Sequence, residues 1–168
     1  AYLFARDLRD SRAVGAVAAL LIAVNPQILQ WHISAGGVVR GFAMLVVLTG
    51  LYTGLRLFRT GDRRWLAAST LLFGLAVLTH PTYSLFLVTG YGLLWATVDR
   101  SPRGFGRGLV VGVGGVLVAS PWWLSVVATH GPTAFTAAAG THGGIGGGIA
   151  RLFGASGWSL LVLAGGAT

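Results

Sequence analysis

The sequence has 168 residues, of which 54% are hydrophobic and only 10% are charged, and its formal net charge is +8. Soluble domains carry about 25% charged residues, so this composition argues against a water-soluble globular protein. The chain contains no cysteine, which excludes disulfide bonds and thiolate metal sites. Its positive charges stand in short gaps between apolar runs and form no single basic face, so we expect the lipid bilayer as a partner and no nucleic acid.

Five apolar segments approach the length of a membrane-spanning helix, which needs about 20 mostly apolar residues. In chain order they cover residues 13–30, 38–58, 64–79, 82–98 and 108–128. Residues 129–148 are rich in Gly, Ala and Thr and are typical of a loop, and a sixth span would start after Arg151. The sequence therefore predicts an all-α fold, a polytopic transmembrane helix bundle of about five full spans with partial helices at both ends. We expect residues 1–168 to be a fragment of one transmembrane domain, without a separate soluble domain.

Several residues mark where these helices should begin, bend and touch. Asp10 and Ser11 can cap the first span. Pro26 should kink that span at Asn25, because proline lacks a backbone N–H. Glycines four residues apart let helix backbones approach closely in lipid, and they predict tight packing of the bundle. Such pairs are Gly37 with Gly41, Gly50 with Gly54, and Gly108 with Gly112.

The arginines predict the orientation of the spans. Ten of them fall into loops that would share one side of the membrane, together with all four aspartates. These arginines are Arg6, Arg9, Arg12, Arg56, Arg59, Arg63, Arg64, Arg100, Arg103 and Arg107. The other side receives Arg40 and Arg151. Because cytoplasmic loops of membrane proteins carry an excess of positive residues, we expect a multi-pass protein of the plasma membrane with its arginine-rich loops in the cytoplasm.

Three residues on the predicted outer side are candidates for binding a substrate. Arg40 stands at the outer start of the second span, where a charge either binds an anionic group such as a lipid phosphate or extends to the headgroups. His80 stands in the turn between the third and fourth spans, whose arms of about 24 Å are shorter than the ~30 Å hydrocarbon core. The turn could therefore line a recess in which His80 contacts substrate, or His80 could simply cap a helix. His32 follows Trp31 in the first outer loop, where such a pair usually anchors a helix at the interface.

The outer side offers few other groups for chemistry. His130 and His142 recur in two Thr-His-Gly triplets, but their spacing matches no standard metal signature. No Asp or Glu falls on this side, so no carboxylate there could act as a general base or hold a hard metal ion. We therefore expect no metal site within the chain, and any catalytic acid or divalent metal ion to be held outside residues 1–168.

Three stretches of sequence together suggest a family. Residues 20–26 (LLIAVNP) end a helix in a proline before an outer loop. Residues 32–34 (HIS) and 39–43 (VRGFA) precede a helix that closes in an arginine-rich loop, and residues 73–81 (FGLAVLTHP) contain a helix break. Over roughly residues 1–128, this order of features resembles the multi-spanning glycosyltransferases of the C-type superfamily, mannosyltransferase-like and similar to glycosyltransferase family 39, which use polyprenyl-phosphate-linked sugars. Many relatives have an acid two residues before the arginine, where this chain has Val38.

The resemblance implies an enzyme that moves a sugar from a polyprenyl-phosphate donor to an acceptor on the outer face. It implies that Arg40 holds the donor phosphate, that His80 lines the sugar or acceptor cavity, and that the catalytic acid lies upstream of residue 1. Two other functions stay open from the residues alone. Prolines at positions 26, 81 and 121 could break helices as in a secondary transporter, or the chain could belong to a non-catalytic membrane subunit.

Overall fold

The computed structural model describes residues 1–26, 28–29 and 37–140, with the backbone alone for residues 138–140, and the regular secondary structure of this part is entirely α-helical. The helices are α1 (Tyr2–Arg9), α2 (Arg12–Val24), α3 (Gly37–Thr60), α4 (Arg63–Thr79), α5 (Pro81–Val98), α6 (Pro102–Val118), α7 (Ser120–His130) and α8 (Thr133–Gly140). They confirm the all-α prediction. The chain forms two compact units, Ala1–Pro121 and Trp122–Thr168.

The first unit opens with two short helices that meet at a tight corner. α1 ends at Asp10, whose backbone adopts the left-handed conformation with a φ of 49°. The Oγ atom of Ser11 then accepts a hydrogen bond from the backbone N–H of Val14 at 3.4 Å. Capping of α2 by Ser11 is thus confirmed, whereas Asp10 closes α1 instead. A Cβ atom on Gly15 would come within 2.9 Å of the Arg6 Cβ atom, so this glycine lets α1 lie against α2.

α2 is shorter than the predicted span of residues 13–30, because it ends at Val24. Asn25 follows with extended backbone, as expected for a residue that precedes a proline. The side-chain oxygen of Asn25 accepts a hydrogen bond from the backbone N–H of Ile28 at 3.2 Å, which caps a new turn after Pro26. The 13 residues of α2 rise only about 20 Å. The predicted kink is therefore a break of the helix.

Helices α3, α4 and α5 form the core of the first unit. Leu55 of α3 and Leu87 of α5 are fully buried in this core. α3 and α5 approach closely at two glycines. A Cβ atom on Gly50 would lie 2.9 Å from a methyl carbon of Leu87, and the ring of Tyr91 covers Gly54. The packing role predicted for this glycine pair is confirmed.

α4 packs against α6 through a second pair of glycines, Gly74 and Gly115. A Cβ atom on Gly115 would lie 3.0 Å from the backbone nitrogen of Gly74, and a Cβ atom on Gly74 would lie 3.0 Å from the carbonyl oxygen of Gly115. The two backbones therefore meet directly, as small residues permit. The spacing of glycines along the sequence does not predict this contact, because the two residues belong to different helices.

Three of the five predicted spans agree closely with observed helices. The predicted ranges 38–58, 64–79 and 82–98 match α3, α4 and α5 to within one or two residues at each end. The predicted span 108–128 is wrong at its start, because α6 begins at Pro102. It is interrupted between Val118 and Ser120, and α7 then ends at His130, close to the predicted end. Pro102 occupies the first position of its helix, where no intrahelical hydrogen bond is lost, so α6 starts well before the apolar run does.

In the second unit, helices take the place of the first part of the loop that was predicted for residues 129–148. α7 continues to His130, and α8 follows after a turn in which Gly131 has a φ of 77°. The rings of Trp122 and Phe135 pack edge to face, with their centroids 5.9 Å apart. The alanines of α8 explain the difference, because alanine has the highest helix propensity of all residues. Residues 141–148 lie outside the described part.

One helix of the described part, α3, is long and apolar enough to cross a membrane. A second crossing results if α6 and α7 together form one interrupted span. α4 has 17 residues and rises about 26 Å, which is short of the ~30 Å hydrocarbon core. The predicted bundle of five full spans stays a prediction.

Large apolar side chains are exposed on several helices of the first unit. The exposed fraction is 60% for Leu45, 62% for Leu93 and 61% for Leu117. Other exposed leucines of this unit include Leu20, Leu71, Leu85 and Leu109. Soluble monomeric proteins rarely expose large contiguous apolar patches, so a surface of this kind is suited to contact with lipid.

Candidate functional site

The three arginine-rich segments of the sequence meet at one end of the first unit. The Nη1 atom of Arg56 lies 3.9 Å from the Oδ2 atom of Asp7, and Arg59 donates a hydrogen bond to a backbone carbonyl of α1 at 3.2 Å. The guanidinium group of Arg107 lies beside Gly61, which brings the start of α6 to the same place. We call this place the arginine-rich end. It comprises residues 6–12, 56–64 and 99–107.

Trp65 anchors the corner between α3 and α4 at this end. Its ring lies 5.6 Å from the guanidinium carbon of Arg56 and 5.5 Å from that of Arg64, and these distances are typical of cation–π contacts. The ring of Tyr52 meets it edge to face at 6.2 Å. The arginines at this corner thus have structural partners within the protein.

Carboxylates at the arginine-rich end also serve the structure. Besides the longer contact of Asp7 with Arg56, the ion pairs here include Asp7 with Arg6 at 2.6 Å, Asp62 with Arg64 at 2.8 Å and Asp99 with Arg107 at 3.2 Å. Hydrogen bonds from Ser101, helped by the charge of Arg107, lower the pKa of Asp99 below its ordinary value. Asp99 therefore remains an ionised partner at neutral pH and is poorly suited to accept a proton.

Arg40 lies far from the arginine-rich end. It occupies the first turn of α3, 16 residues before Arg56, and this separation corresponds to about 24 Å along the helix axis. The side chain of Arg40 is half-buried. The predicted position of Arg40 at the start of its helix is confirmed.

His80 lies at the same end of the unit as Arg40. α3 and α4 run antiparallel, and a hydrogen bond of 3.1 Å from the Oγ atom of Ser69 to the Oγ1 atom of Thr53 sets their register. α4 ends at Thr79, ten residues after Ser69. Ten residues before Thr53, in the antiparallel α3, stands Ala43. The end of α4 is therefore level with Ala43, which is three residues from Arg40. The two predicted site residues therefore lie within about one helical turn of the same level.

The contacts of His80 are those of a residue that joins two helices. Its backbone N–H donates to the carbonyl of Ala76 at 3.0 Å, and its carbonyl accepts from the N–H of Tyr83 at 2.8 Å. Its ring packs edge to face on the ring of Tyr83, with centroids 5.0 Å apart. Pro81 then starts α5. These contacts support the interpretation of His80 as a helix-capping residue, and its contact with a substrate stays a prediction.

The other histidines add no described site. His32 and His142 lie outside the described residues, and the substrate contact predicted for His32 stays a prediction. His130 is the last residue of α7. Within the described ranges, no three His, Cys, Asp or Glu side chains lie together in a way that could hold a metal ion. The divalent metal ion expected outside residues 1–168 is untested by this observation.

A buried network of hydroxyl groups joins three helices inside the core of the first unit. The Tyr91 hydroxyl and the Thr53 hydroxyl both donate to the carbonyl of Gly50 at 3.0 Å, and Ser69 donates to Thr53. The three side chains come from α5, α3 and α4. Sequence reasoning missed this network, because an isolated Ser, Thr or Tyr in an apolar run gives no signal about its partner in another helix.

A groove between α5 and α6 was also missed. It encloses about 580 Å³ and is lined almost entirely by apolar groups. Gly112 lies in this groove, and a Cβ atom added to it would have no neighbour within 4 Å. The tight packing predicted for Gly108 and Gly112 is therefore wrong at Gly112, which faces open space.

These observations define the described chain as a helical protein with one helix able to cross a membrane, and with most of its positive charge at one end of the first unit. No family model, no curated protein and no solved structure matches it.

Proposed function

We propose that the chain is part of an integral membrane glycosyltransferase, which moves a sugar from a polyprenyl-phosphate donor to an acceptor on the outer face of the membrane. The observation that carries this proposal is the position of Arg40. It is half-buried in the first turn of the longest apolar helix, about 24 Å from the arginine-rich end. In a membrane-spanning α3 this turn lies near the outer headgroups, which is also the level of a lipid-linked phosphate.

The chemistry of the side chains suits that role. A guanidinium group presents a planar pair of N–H donors that match two phosphate oxygens, so Arg40 would hold the donor phosphate. His80, at nearly the same level, would line the cavity for the sugar or the acceptor. The catalytic acid would come from outside residues 1–168. The motif resemblance around residues 39–43 and 73–81 supports the same assignment.

The proposal includes a multi-pass arrangement in the plasma membrane. The arginine-rich end would face the cytoplasm, and the end that carries Arg40 and His80 would face outward. The exposed leucines of the first unit support this arrangement, because each helix presents apolar side chains to its surroundings.

The role of Arg40 can be tested in the complete protein by comparing Arg40→Ala and Arg40→Lys. We expect Arg40→Ala to lower kcat/KM for the polyprenyl-phosphate donor by about 10- to 100-fold, which is the loss expected for a hydrogen-bonded charge pair. Much of the loss should fall in KM, because the phosphate is bound before and during transfer. Arg40→Lys should keep part of the affinity, since the charge remains while the paired donors are lost.

The matched control is Arg63→Ala, which removes an exposed arginine at the start of α4, just beyond the opposite end of α3. We expect its transfer rate to equal that of the wild type. Unchanged donor affinity and transfer in Arg40→Ala would end the proposed role of Arg40. If the complete protein transfers no sugar from any polyprenyl-phosphate donor, the glycosyltransferase assignment itself is wrong.

A secondary transporter is the second candidate, and helix breaks favour it. α2 ends before Pro26, and α6 gives way to α7 at Ala119. Transporters often build their binding sites at interrupted helices near the middle of the bilayer. Reconstitution in liposomes separates the two functions. Substrate flux without a transfer product supports the transporter, and product without flux supports the transferase.

A further inference from the structure

Two helices of the first unit begin with an exposed arginine beside an apolar surface. Arg12 is the first residue of α2, and Arg103 is the second residue of α6. Both side chains are exposed, and within the described residues neither makes an ion pair, a side-chain hydrogen bond or a ring contact. A positive charge in the first turn opposes the helix dipole, so these arginines do not stabilise their own helices. A role outside the chain is therefore favoured.

The apolar surface begins within two residues of each arginine. Val14 and Phe105, each two residues after its arginine, are exposed, and exposed apolar side chains continue along the helices at Val17 and Leu109. In a membrane protein, arginines border exposed apolar side chains where the helices pass from the hydrocarbon core into the headgroups. In the proposed membrane arrangement, both arginines therefore stand at the level of the lipid phosphates of the leaflet at the arginine-rich end.

The other arginines of this end lack this combination of features. Those that are held by other groups of the protein are Arg6, Arg56, Arg59, Arg64, Arg100 and Arg107. Arg9 lies in the last turn of α1, where a positive charge favours its own helix. Arg63 is exposed, but the first large exposed apolar side chain after it is Leu71, about 12 Å along α4. Arg63 therefore stands farther from the apolar surface.

We propose that Arg12 and Arg103 each bind the phosphate of an anionic phospholipid in the leaflet at the arginine-rich end. A guanidinium group can donate two parallel hydrogen bonds to phosphate oxygens. The exposed apolar side chains beside each arginine would contact the acyl chains of the same lipid, whereas an acidic protein or a nucleic acid would leave them in water. This role rests on the proposed membrane arrangement and does not depend on sugar transfer. Both arginines lie at the opposite end of the unit from Arg40.

Asp10 opposes the positive charge around Arg12. Both residues line an open polar cavity of about 340 Å³ at the corner between α1 and α2. Asp10 makes no ion pair in the part of the chain that the structure describes. Its backbone has a φ of 49°, which asparagine also tolerates. Asp10→Asn therefore removes a negative charge beside Arg12 and keeps the shape of the corner.

The test is a lipid titration of the purified complete protein in mild detergent, followed by native mass spectrometry. The probes are dioleoyl phosphatidylglycerol, which is anionic, and dioleoyl phosphatidylcholine, which has the same chains and no net charge. We expect the wild type to prefer phosphatidylglycerol. Arg12→Gln and Arg103→Gln should each lower this preference by about fivefold, the factor expected for one arginine near an anionic lipid surface. The corresponding lysine variants should keep most of it, because the charge remains.

Two further variants separate the proposed sites from a general effect of net charge. Arg63→Gln is the matched control, because it removes the same charge from the same end of the unit, away from the apolar surface. It should lower the preference by less than about twofold, since salt screens a charge at this distance. Asp10→Asn should act in the opposite direction and raise the preference for phosphatidylglycerol. If one arginine variant does not fold, the other arginine and Asp10→Asn still test the proposal.

Equal affinity of the wild type for the two lipids would overturn the proposal, as would an unchanged preference in the folded glutamine variants. An effect of Arg63→Gln as large as that of Arg103→Gln would assign the preference to the overall charge of this end and would also reject the two sites. Titration with a single-stranded oligonucleotide covers the remaining case. Oligonucleotide binding that is lost in the glutamine variants, without a change in lipid preference, would assign the arginines to a nucleic acid. Because lipid affinity is the readout, none of these results bears on the proposed sugar transfer.

Discussion

At the scale of single residues, Gly54 permits a close approach between α3 and α5. The ring of Tyr91 lies directly over it, and the Tyr91 hydroxyl donates to the carbonyl of Gly50 one turn away. Any side chain at position 54 would push the ring aside and strain this buried hydrogen bond. Gly106, by contrast, has open space where its Cβ atom would stand.

We therefore predict that Gly54→Ala and Gly106→Ala change stability in opposite directions. Gly54→Ala should lower the free energy of unfolding by about 1–3 kcal/mol, because it overpacks a filled contact. Gly106→Ala should be neutral or stabilising by up to about 1 kcal/mol, because alanine favours a helix more than glycine does. Reversible unfolding in mixed micelles measures both values. Equal effects of the two substitutions would show that the α3–α5 contact is loose.

At the scale of elements, the connection between α5 and α6 depends on Asp99. Its carboxylate accepts from the Ser101 backbone N–H and from Arg107, both at 3.2 Å. The Oγ atom of Ser101 in turn caps α6 by accepting from the N–H of Gly104 at 2.9 Å. Together these bonds turn the chain through a short connection and start the next helix at Pro102.

This network predicts a pH-dependent stability. The folded state lowers the pKa of Asp99 below its ordinary value of 3.8, so the folded protein binds this proton less well than the unfolded chain does. The resulting stability is fully present above pH 3.8 and is lost as the pH falls through the lower, folded pKa. Asp99→Asn cannot ionise and lacks this contribution. The Tm of the wild type should exceed that of Asp99→Asn near neutral pH, and the difference should shrink in acid.

Thermal unfolding of both proteins in detergent micelles, followed from neutral pH down to about pH 3, measures this difference. A Tm difference that stays constant over the whole range would show that the side chain acts through its shape alone. A larger difference in acid than at neutral pH would contradict the expected sign.

At the scale of the whole molecule, the separation of charges along α3 makes the orientation testable. The chain contains no cysteine, so single cysteines can be introduced without a background of native thiols. Val38 stands at one end of α3 and is 89% exposed. Arg63 is exposed just beyond the other end. The two positions therefore report on opposite ends of one candidate span.

In intact cells, we expect a membrane-impermeant maleimide to label Val38→Cys and to leave Arg63→Cys unlabelled. Permeabilised cells should show labelling of both. This pattern follows from the proposed orientation, in which the arginine-rich loops lie in the cytoplasm. The reverse pattern would invert the orientation, and labelling of both cysteines in intact cells would show that α3 does not cross the membrane.

The sequence alone determined the helical class and the limits of α3, α4 and α5. Their apolar runs are interrupted by residues that end or start helices, such as Asp62 and Pro81, and these signals act locally. The separation of Arg40 from the other arginines could likewise be read directly from their order. The apolar pattern alone misjudged α8 as a loop, although its alanines favour a helix. It also placed the start of α6 too late, because Pro102 can begin a helix before the apolar run does.

Only the tertiary structure decided which faces of the helices meet. Three features depend on how the helices pack side by side. They are the hydroxyl network of Tyr91, Thr53 and Ser69, the contact of Gly74 with Gly115, and the open space beside Gly112. The physical reason is that these helices are apolar on nearly every side, as the exposed leucines show. When a helix has no polar face, its sequence does not show which side packs against a neighbour. Hydropathy then predicts where the helix begins and ends, whereas its neighbours are determined by how the side chains fit together in three dimensions.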